Sequence, residues 1–290
     1  MRAAVDGPIV CVGSPIVDLL DGEHAHLGGA ATNVAVTAAR LGAAAAICGA
    51  VGADPHGAWV LACLAAETVG TDWLLSRGTT EVVEVTFDGP EPAFASRNGQ
   101  TSELLAALEA HLDAAVRATG MLYLTSNCLV EPGAARLVEA ACATVRAAGR
   151  SVVLDVNLRR RRWGAGTDPH AGVARVLRHA TIVKANLEEA TWLTGRANPA
   201  EAVEALCAAG AELAIVSRGP NGVVARGSVA LELPSPPAEV RSTLGAGDVL
   251  VGTLMGTLWQ GDGSPATVEH AVRAAVDAAA HSTTRRGALT

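Results

Sequence analysis

The chain has 290 residues, half of them apolar, which is enough for a substantial core in one large or two small domains. A net charge of −7 argues against a general nucleic-acid binder, and no run of about eighteen apolar residues or N-terminal apolar leader marks a membrane or secretory protein. Lys184 is the sole lysine, which excludes a Walker-type phosphate loop, and the six cysteines form no C-x-x-C pair, so reduced, mostly buried thiols in a cytoplasmic protein are expected.

In chain order, Ile9–Gly13 reads as a first strand, with Asp18 in the turn after it. Gly28-Gly29-Ala30-Ala31-Thr32-Asn33 leads into a helical stretch at Val34–Leu41, stopped by Gly42. Ala43–Val51 reads as a buried strand. Asp54-Pro55 opens a helix expected to reach about Val69. Glu81–Phe87 alternates as a strand, Asp88-Gly89-Pro90 turns, and Ala93–Ser96 returns. Ser102 caps a helix ending before Gly120. Met121–Thr125 is a strand, Pro132–Ala148 a helix, and Ser151–Val156 a strand running into Asn157 and Arg159.

The alternation continues with a helix at Ala171–His179, a strand at Thr181–Lys184 and a helix at Leu187–Thr194. A helix opened by Asn198-Pro199 and closed by Gly210 precedes a strand at Leu213–Ser217. Arg218–Gly222 is a tight turn, and Val223–Ala225 and Val229–Leu233 are short strands. Ser264-Pro265 caps a last helix to about Ala280. Strands alternating with helices imply an α/β fold with a parallel sheet covered on both faces. Such sheets bind ligands beyond the carboxyl ends of their strands, where Asp18, Asn157, Arg159, Asn186, Arg218 and Asp248 all fall. With no repeat or long linker, one domain over residues 1–290 is the simplest account.

The stretch Ser242–Asp248 organises this pattern. Gly245 and Gly247 remove Cβ atoms where a ligand must approach the backbone, and the first helix amides are free to hold an anion. Asp248 beside such an anion is placed to take a proton from a nucleophile attacking it. An ordinary strand–loop–helix junction is the plainer alternative.

Gly28-Gly29-x-x-x-Asn33 with Leu41-Gly42 and Val51-Gly52-x-Asp54-x-x-Gly57, then Thr243-x-Gly245-Ala246-Gly247-Asp248, together resemble the ribokinase (phosphofructokinase-B type) family of small-molecule kinases. The motifs stand nearest to fructokinases and 2-keto-3-deoxygluconate kinases. The resemblance implies a three-layer sandwich with a mostly parallel central sheet flanked by helices and a reduced β-lid, drawn from 19–27 and 79–98 or from the 81–96 hairpin alone. It implies an ATP- and magnesium-dependent kinase for a primary hydroxyl of a sugar or sugar acid. Asp248 would be the general base, and Gly245, Ala246 and Gly247 the anion hole. Asp18, Gly28, Gly29, Asn33 and Arg159 would hold the acceptor. Asn186, Ser217, Arg218, Gly219 and Gly222 would lie by the nucleotide, with Asn186 and Glu189 orienting the metal through water. In members with a full β-lid the lid often also forms the dimer interface, so the resemblance leaves a homodimer open.

Departures narrow the reading. Ser242 replaces the family's usual aspartate, so activation by a monovalent cation does not carry over. Arg162 stands where the residue before Trp163 is usually leucine, within an Arg160–Arg162 run read as a solvated loop. Val276 stands where many members carry a polar residue near adenine. A nucleoside kinase of the same fold is the alternative, although Trp59, Trp73 and Phe94, the rings that could stack on a base, read as core. A non-catalytic sugar or nucleotide sensor is the alternative of another class.

Overall fold

The computed structural model describes residues 6–22, 24–97, 103–164 and 166–289. The first strand, β1 (Ile9–Val12), is followed by β2 (Ile16–Leu20), β3 (His24–Gly28), α1 (Ala30–Arg40), β4 (Ala45–Val51), α2 (Pro55–Ala66) and β5 (Gly70–Ser76). Next come β6 (Val82–Asp88), β7 (Glu91–Ser96), α3 (Glu103–Ala118), β8 (Met121–Thr125), α4 (Pro132–Ala147), β9 (Ser151–Asp155) and α5 (Pro169–Leu177). The chain continues through β10 (Ile182–Asn186), α6 (Leu187–Thr194), α7 (Pro199–Ala208), β11 (Leu213–Ser217), β12 (Val223–Gly227), β13 (Leu231–Leu233), α8 (Ala246–Gln260) and α9 (Pro265–Ser282).

The main sheet runs β13-β12-β11-β10-β9-β8-β1-β4-β5, parallel from β11 to β5 and antiparallel at β12 and β13. Side chains alternate across each strand. Ile9, Cys11, Tyr123, Val153 and Ile182 therefore pack under α1, α2, α8 and α9. Val10, Val12, Leu122, Leu154 and Val183 pack under α3 to α7 on the other face. The result is the three-layer sandwich.

Helices α1 and α8 approach closely because α8 lacks side chains at the contact. A Cβ on Gly252 would lie 2.6 Å from Thr37 Cβ and 2.9 Å from the Val34 carbonyl, and one on Gly256 would lie 3.2 Å from Ala38 Cα. This fit matters below, since the first turns of these two helices carry Asn33 and Asp248.

Several expectations are corrected. A second sheet, ordered β3-β2-β6-β7, has four strands, so it exceeds the 81–96 hairpin. Asp18 stands within β2 rather than in a turn. Helix α1 begins at Ala30 with Gly29 at its N-cap, so Asn33 lies inside the helix. Helix α2 ends at Ala66, and Thr68 turns through a left-handed φ of 57°. Strand β5 was not expected; it is a half-buried edge strand, too mixed in pattern to announce itself. The Ser102 cap lies outside the described residues. Phe94 is 46% exposed on β7 and is not core, whereas Trp59 and Trp73 do pack against the two cores. All six cysteines are free, with Cys63 and Cys207 only half-buried.

Candidate active site

Helix α8 starts at a turn that only glycine makes easily. Gly245 caps it in the left-handed region at φ 72°, with no side-chain cap. A Cβ there would lie 2.1 Å from Ala288 Cβ. Ser242 Oγ accepts the Leu244 amide at 3.1 Å and steadies the approach. The first intrahelical bond runs from Val249 N–H to the Gly245 carbonyl at 2.9 Å. The Ala246 amide, expected in the anion hole, is bonded to the Thr243 carbonyl at 3.3 Å, and the amides of Gly247 and Asp248 stand at the positive end of a fifteen-residue helix.

Two stretches 215 positions apart meet at this turn. Asn33 Nδ2 donates to Asp248 Oδ2 at 2.8 Å. Asn33 Oδ1 and Thr32 Oγ1 are buried without a hydrogen-bond partner. Burial raises the Asp248 carboxyl above its ordinary range, while the Asn33 bond, Lys184 and Arg159 oppose the rise. The carboxylate is thus strengthened as a base without being abandoned as an ion.

Asp18 projects from β2 against Gly28 of β3. A Cβ on Gly28 would lie 2.4 Å from the Asp18 carboxyl, so glycine leaves room for it. Burial, then Asp248 and then Glu81, push Asp18 up to about 7. The buried Asp18 carboxyl and the half-buried Asp248 carboxyl, beside the unpartnered Asn33 oxygen, make a place suited to ligand hydroxyls, which can donate to each of them.

Alternation along β9 and β10 continues the core positions Val153 and Ile182 to Asp155 and Lys184 on the α8 side. Lys184 Nζ donates to Asp155 Oδ1 at 3.1 Å, and Asp155 is fully buried. Burial pushes Asp155 up to about 7 against the pull of Lys184. Burial also opposes the ammonium, yet Asp155, Glu189 and Asp248 outweigh it and hold Lys184 above its ordinary value. Lys184 is therefore charged, since three carboxyls act on it. A methyl at Gly247 would lie 2.8 Å from Nζ, so the ammonium sits directly beneath the turn. The sequence reading did not single out Lys184 as a site residue. Its signal was a lone lysine in an apolar strand, in step with core positions.

Glu189 is buried and engaged on both oxygens. Oε2 accepts the Asn186 amide at 2.9 Å, closing a capping box, and Oε1 accepts the Leu158 amide at 2.8 Å. It ties the start of α6 to the loop after β9. In that loop Asn157 has a left-handed φ of 35°, and the Arg159 guanidinium lies 5.8 Å from the centre of the Phe94 ring on β7. The Arg160–Arg162 run is not a simple solvated loop. Arg160 lies over Trp192, and Arg162 forks onto Glu81 at 2.7 and 2.8 Å, bridging to the segment entering the second sheet.

Asn186, Ser217, Arg218 and Gly219 line one open groove of about 560 Å³ along the ends of β10 and β11. Arg218 donates to Glu232 and to the Asn221 carbonyl. Gly222 faces away: a Cβ there would strike the Leu233 carbonyl, so its φ of 77° and its close packing against β13 account for it. A second cavity of about 500 Å³ is walled by Ser14, Glu81, Thr125, Asn127 and Arg162, and Gly29 is the predicted acceptor residue on its wall. Among the described residues no cluster of three or more His, Cys, Asp or Glu side chains is placed to hold a metal, and no helix is long and apolar enough to cross a membrane.

The family model for pfkB family carbohydrate kinases matches residues 15–290. A fructokinase of Vibrio alginolyticus is 30% identical, over 96% of this chain and 93% of its own. A Vibrio cholerae O395 fructokinase, solved with fructose, ADP and calcium ion, superposes with a TM-score of 0.86 at 27% identity, covering 99% of this chain and 96% of its own. An aminoimidazole riboside kinase of Salmonella enterica, solved with aminoimidazole riboside and an ATP analogue, gives 0.84 at 25% identity, covering 98% and 95%.

Proposed function

Because the chain belongs to the pfkB family of carbohydrate kinases, we propose that it moves the terminal phosphoryl group of ATP to a primary hydroxyl of a sugar or sugar acid, with Asp248 as general base. The observation that carries this reading is the 2.8 Å bond between Asn33 and Asp248 at the start of α8. It unites the acceptor-side glycine stretch with the anion-side turn in one place.

Asp248 takes the proton of the acceptor hydroxyl as that oxygen attacks. Asn33 orients the carboxylate so that its other oxygen is free for this task. The amides of Gly247 and Asp248 face the charge that builds on the phosphoryl group, and such preorganised donors cost no reorganisation during reaction. Asp18 and Asn33 accept or donate to the remaining hydroxyls, and Arg159 closes the site from the β7 side. The triphosphate follows the groove lined by Asn186, Ser217 and Gly219. Asn186 lines this groove, and each Glu189 oxygen accepts a single amide and keeps a lone pair, so these two residues would hold a magnesium ion through water. Bound there, it supplies charge neutralisation on the phosphate oxygens.

The fructose-bound neighbour supports a sugar acceptor. The aminoimidazole riboside kinase supports a nucleoside-like acceptor as the second reading, and the exposed Phe94 ring beside Arg159 is the feature that favours it. A coupled ADP-release assay over hexoses, sugar acids and nucleosides decides between them. Asp248→Asn should lower kcat by about 10²–10⁴-fold with the melting temperature retained. Near-full activity in that variant would remove Asp248 as the base.

A further inference from the structure

The phosphoryl site has a charge problem. Asp18, Asp155 and Glu189 are buried around it, and Asp248 is half-buried. A triphosphate adds more negative charge. Arg159 faces Asp248 from the loop after β9, and Lys184 faces it from β10. Tyr123 on β8 is fully buried beneath them, its hydroxyl unpartnered.

Lys184 is built into this place with care. It is the chain's single lysine. Asp155 grips it at 3.1 Å, and the glycine at 247 lets Nζ sit where a methyl would collide at 2.8 Å. Within the pair, Lys184 keeps 8% side-chain exposure and Asp155 keeps none, so what surface the pair shows belongs to the lysine. Asp155 Oδ2 is buried without a partner. A pair kept only for stability would be expected to satisfy that oxygen, since an apolar replacement is commonly as stable as a buried ion pair.

Resting on the phosphoryl-transfer reading above, we propose that Lys184 is an electrostatic positioning residue of the reaction. Lying beneath Gly247 and aimed by Asp155, it acts across the glycine turn as the fixed cation that offsets charge on the phosphoryl group in transit. Its distance from that charge is set by the strand, so it needs no rearrangement as charge develops. Asp155 holds the ammonium and does not itself reach the ligand.

The test removes both charges together, because Lys184→Met alone would strand a buried carboxyl and could fail to fold. Lys184→Met with Asp155→Asn keeps the volumes and removes both ends of the 3.1 Å pair. We expect this double variant to melt near the wild-type temperature, to keep its KM for ATP, and to lose about a hundredfold in kcat. A kcat within threefold of wild type would overturn the proposal, since Lys184 would then merely neutralise Asp155. A second readout needs no acceptor. ADP with aluminium fluoride, a stand-in for the phosphoryl group in transit, should raise the wild-type melting temperature beyond ADP alone, and the double variant should lose that extra rise. An equal extra rise in both proteins overturns the proposal as well. A wild-type protein with neither turnover on any acceptor nor the extra rise would sink the kinase reading itself, and this proposal with it.

Discussion

Removing the Asn33 amide tests how the two distant stretches cooperate. In Asn33→Ala the Asp248 carboxylate loses a 2.8 Å donor in a part-buried setting. A hydrogen bond to a charged group is worth about 1.5–3 kcal/mol, so losing it should raise the Asp248 pKa. In the proposed mechanism Asp248 acts as its carboxylate, and burial has already raised it, with Lys184 and Arg159 left to oppose. The acid limb of kcat/KM should therefore move to higher pH. Activity should fall about tenfold or more on the acid side and recover towards wild type at alkaline pH. The helix should tolerate the change, since alanine is the better helix former. The assay is kcat/KM from pH 5 to 10 on the acceptor that turns over best. KM alone is uninformative, because the proposed mechanism also sets Asn33 against the acceptor, and the limb position isolates the effect on the base. A limb that stays in place, or moves to lower pH, would refute this account of Asp248.

Gly252→Val should separate α1 from α8. Its side chain would meet Thr37 and the Val34 carbonyl, so we expect a loss of about 1–3 kcal/mol in denaturant melts and a disproportionate loss of kcat; a variant with unchanged stability would show that the helices are not held by this contact. Asp18→Asn should stabilise the fold at pH 8 while weakening acceptor binding. The folded Asp18 sits near 7, against 3.8 as a free group. The unfolded chain ionises first, so native stability falls as pH rises from about 4 to 7, by an amount on the order of 4 kcal/mol once Asp18 is ionised. Urea melts at pH 4 and pH 8 check this, and the variant's advantage should be present at pH 8 and absent at pH 4.

Much of this molecule was legible in the order of its residues. The swing between short β-branched runs and capped helices predicted the sandwich, because periodicity and capping are local physics. The glycines at 28, 245 and 247 marked positions without room for a side chain, and the structure shows Asp18, Ala288 and Lys184 filling that room beside Asp248. Those signals need only neighbours in sequence.

What only the tertiary structure decided are contacts between elements. Asp155 and Lys184 sit on strands made adjacent by the sheet order, and nothing in either strand names the other. Arg162 reads as one more loop arginine until Glu81 arrives from eighty-one positions away. Gly252 looks like a poor helix residue until Thr37 of α1 fills the space it leaves. Glu189 reads as a metal-orienting acid, and the structure adds that its two oxygens are held by two amides, one of them from the loop after β9. The physical reason is common to all four. A buried charge or an absent side chain acquires meaning from whatever packs against it, and that partner is chosen by the three-dimensional arrangement of the strands and helices.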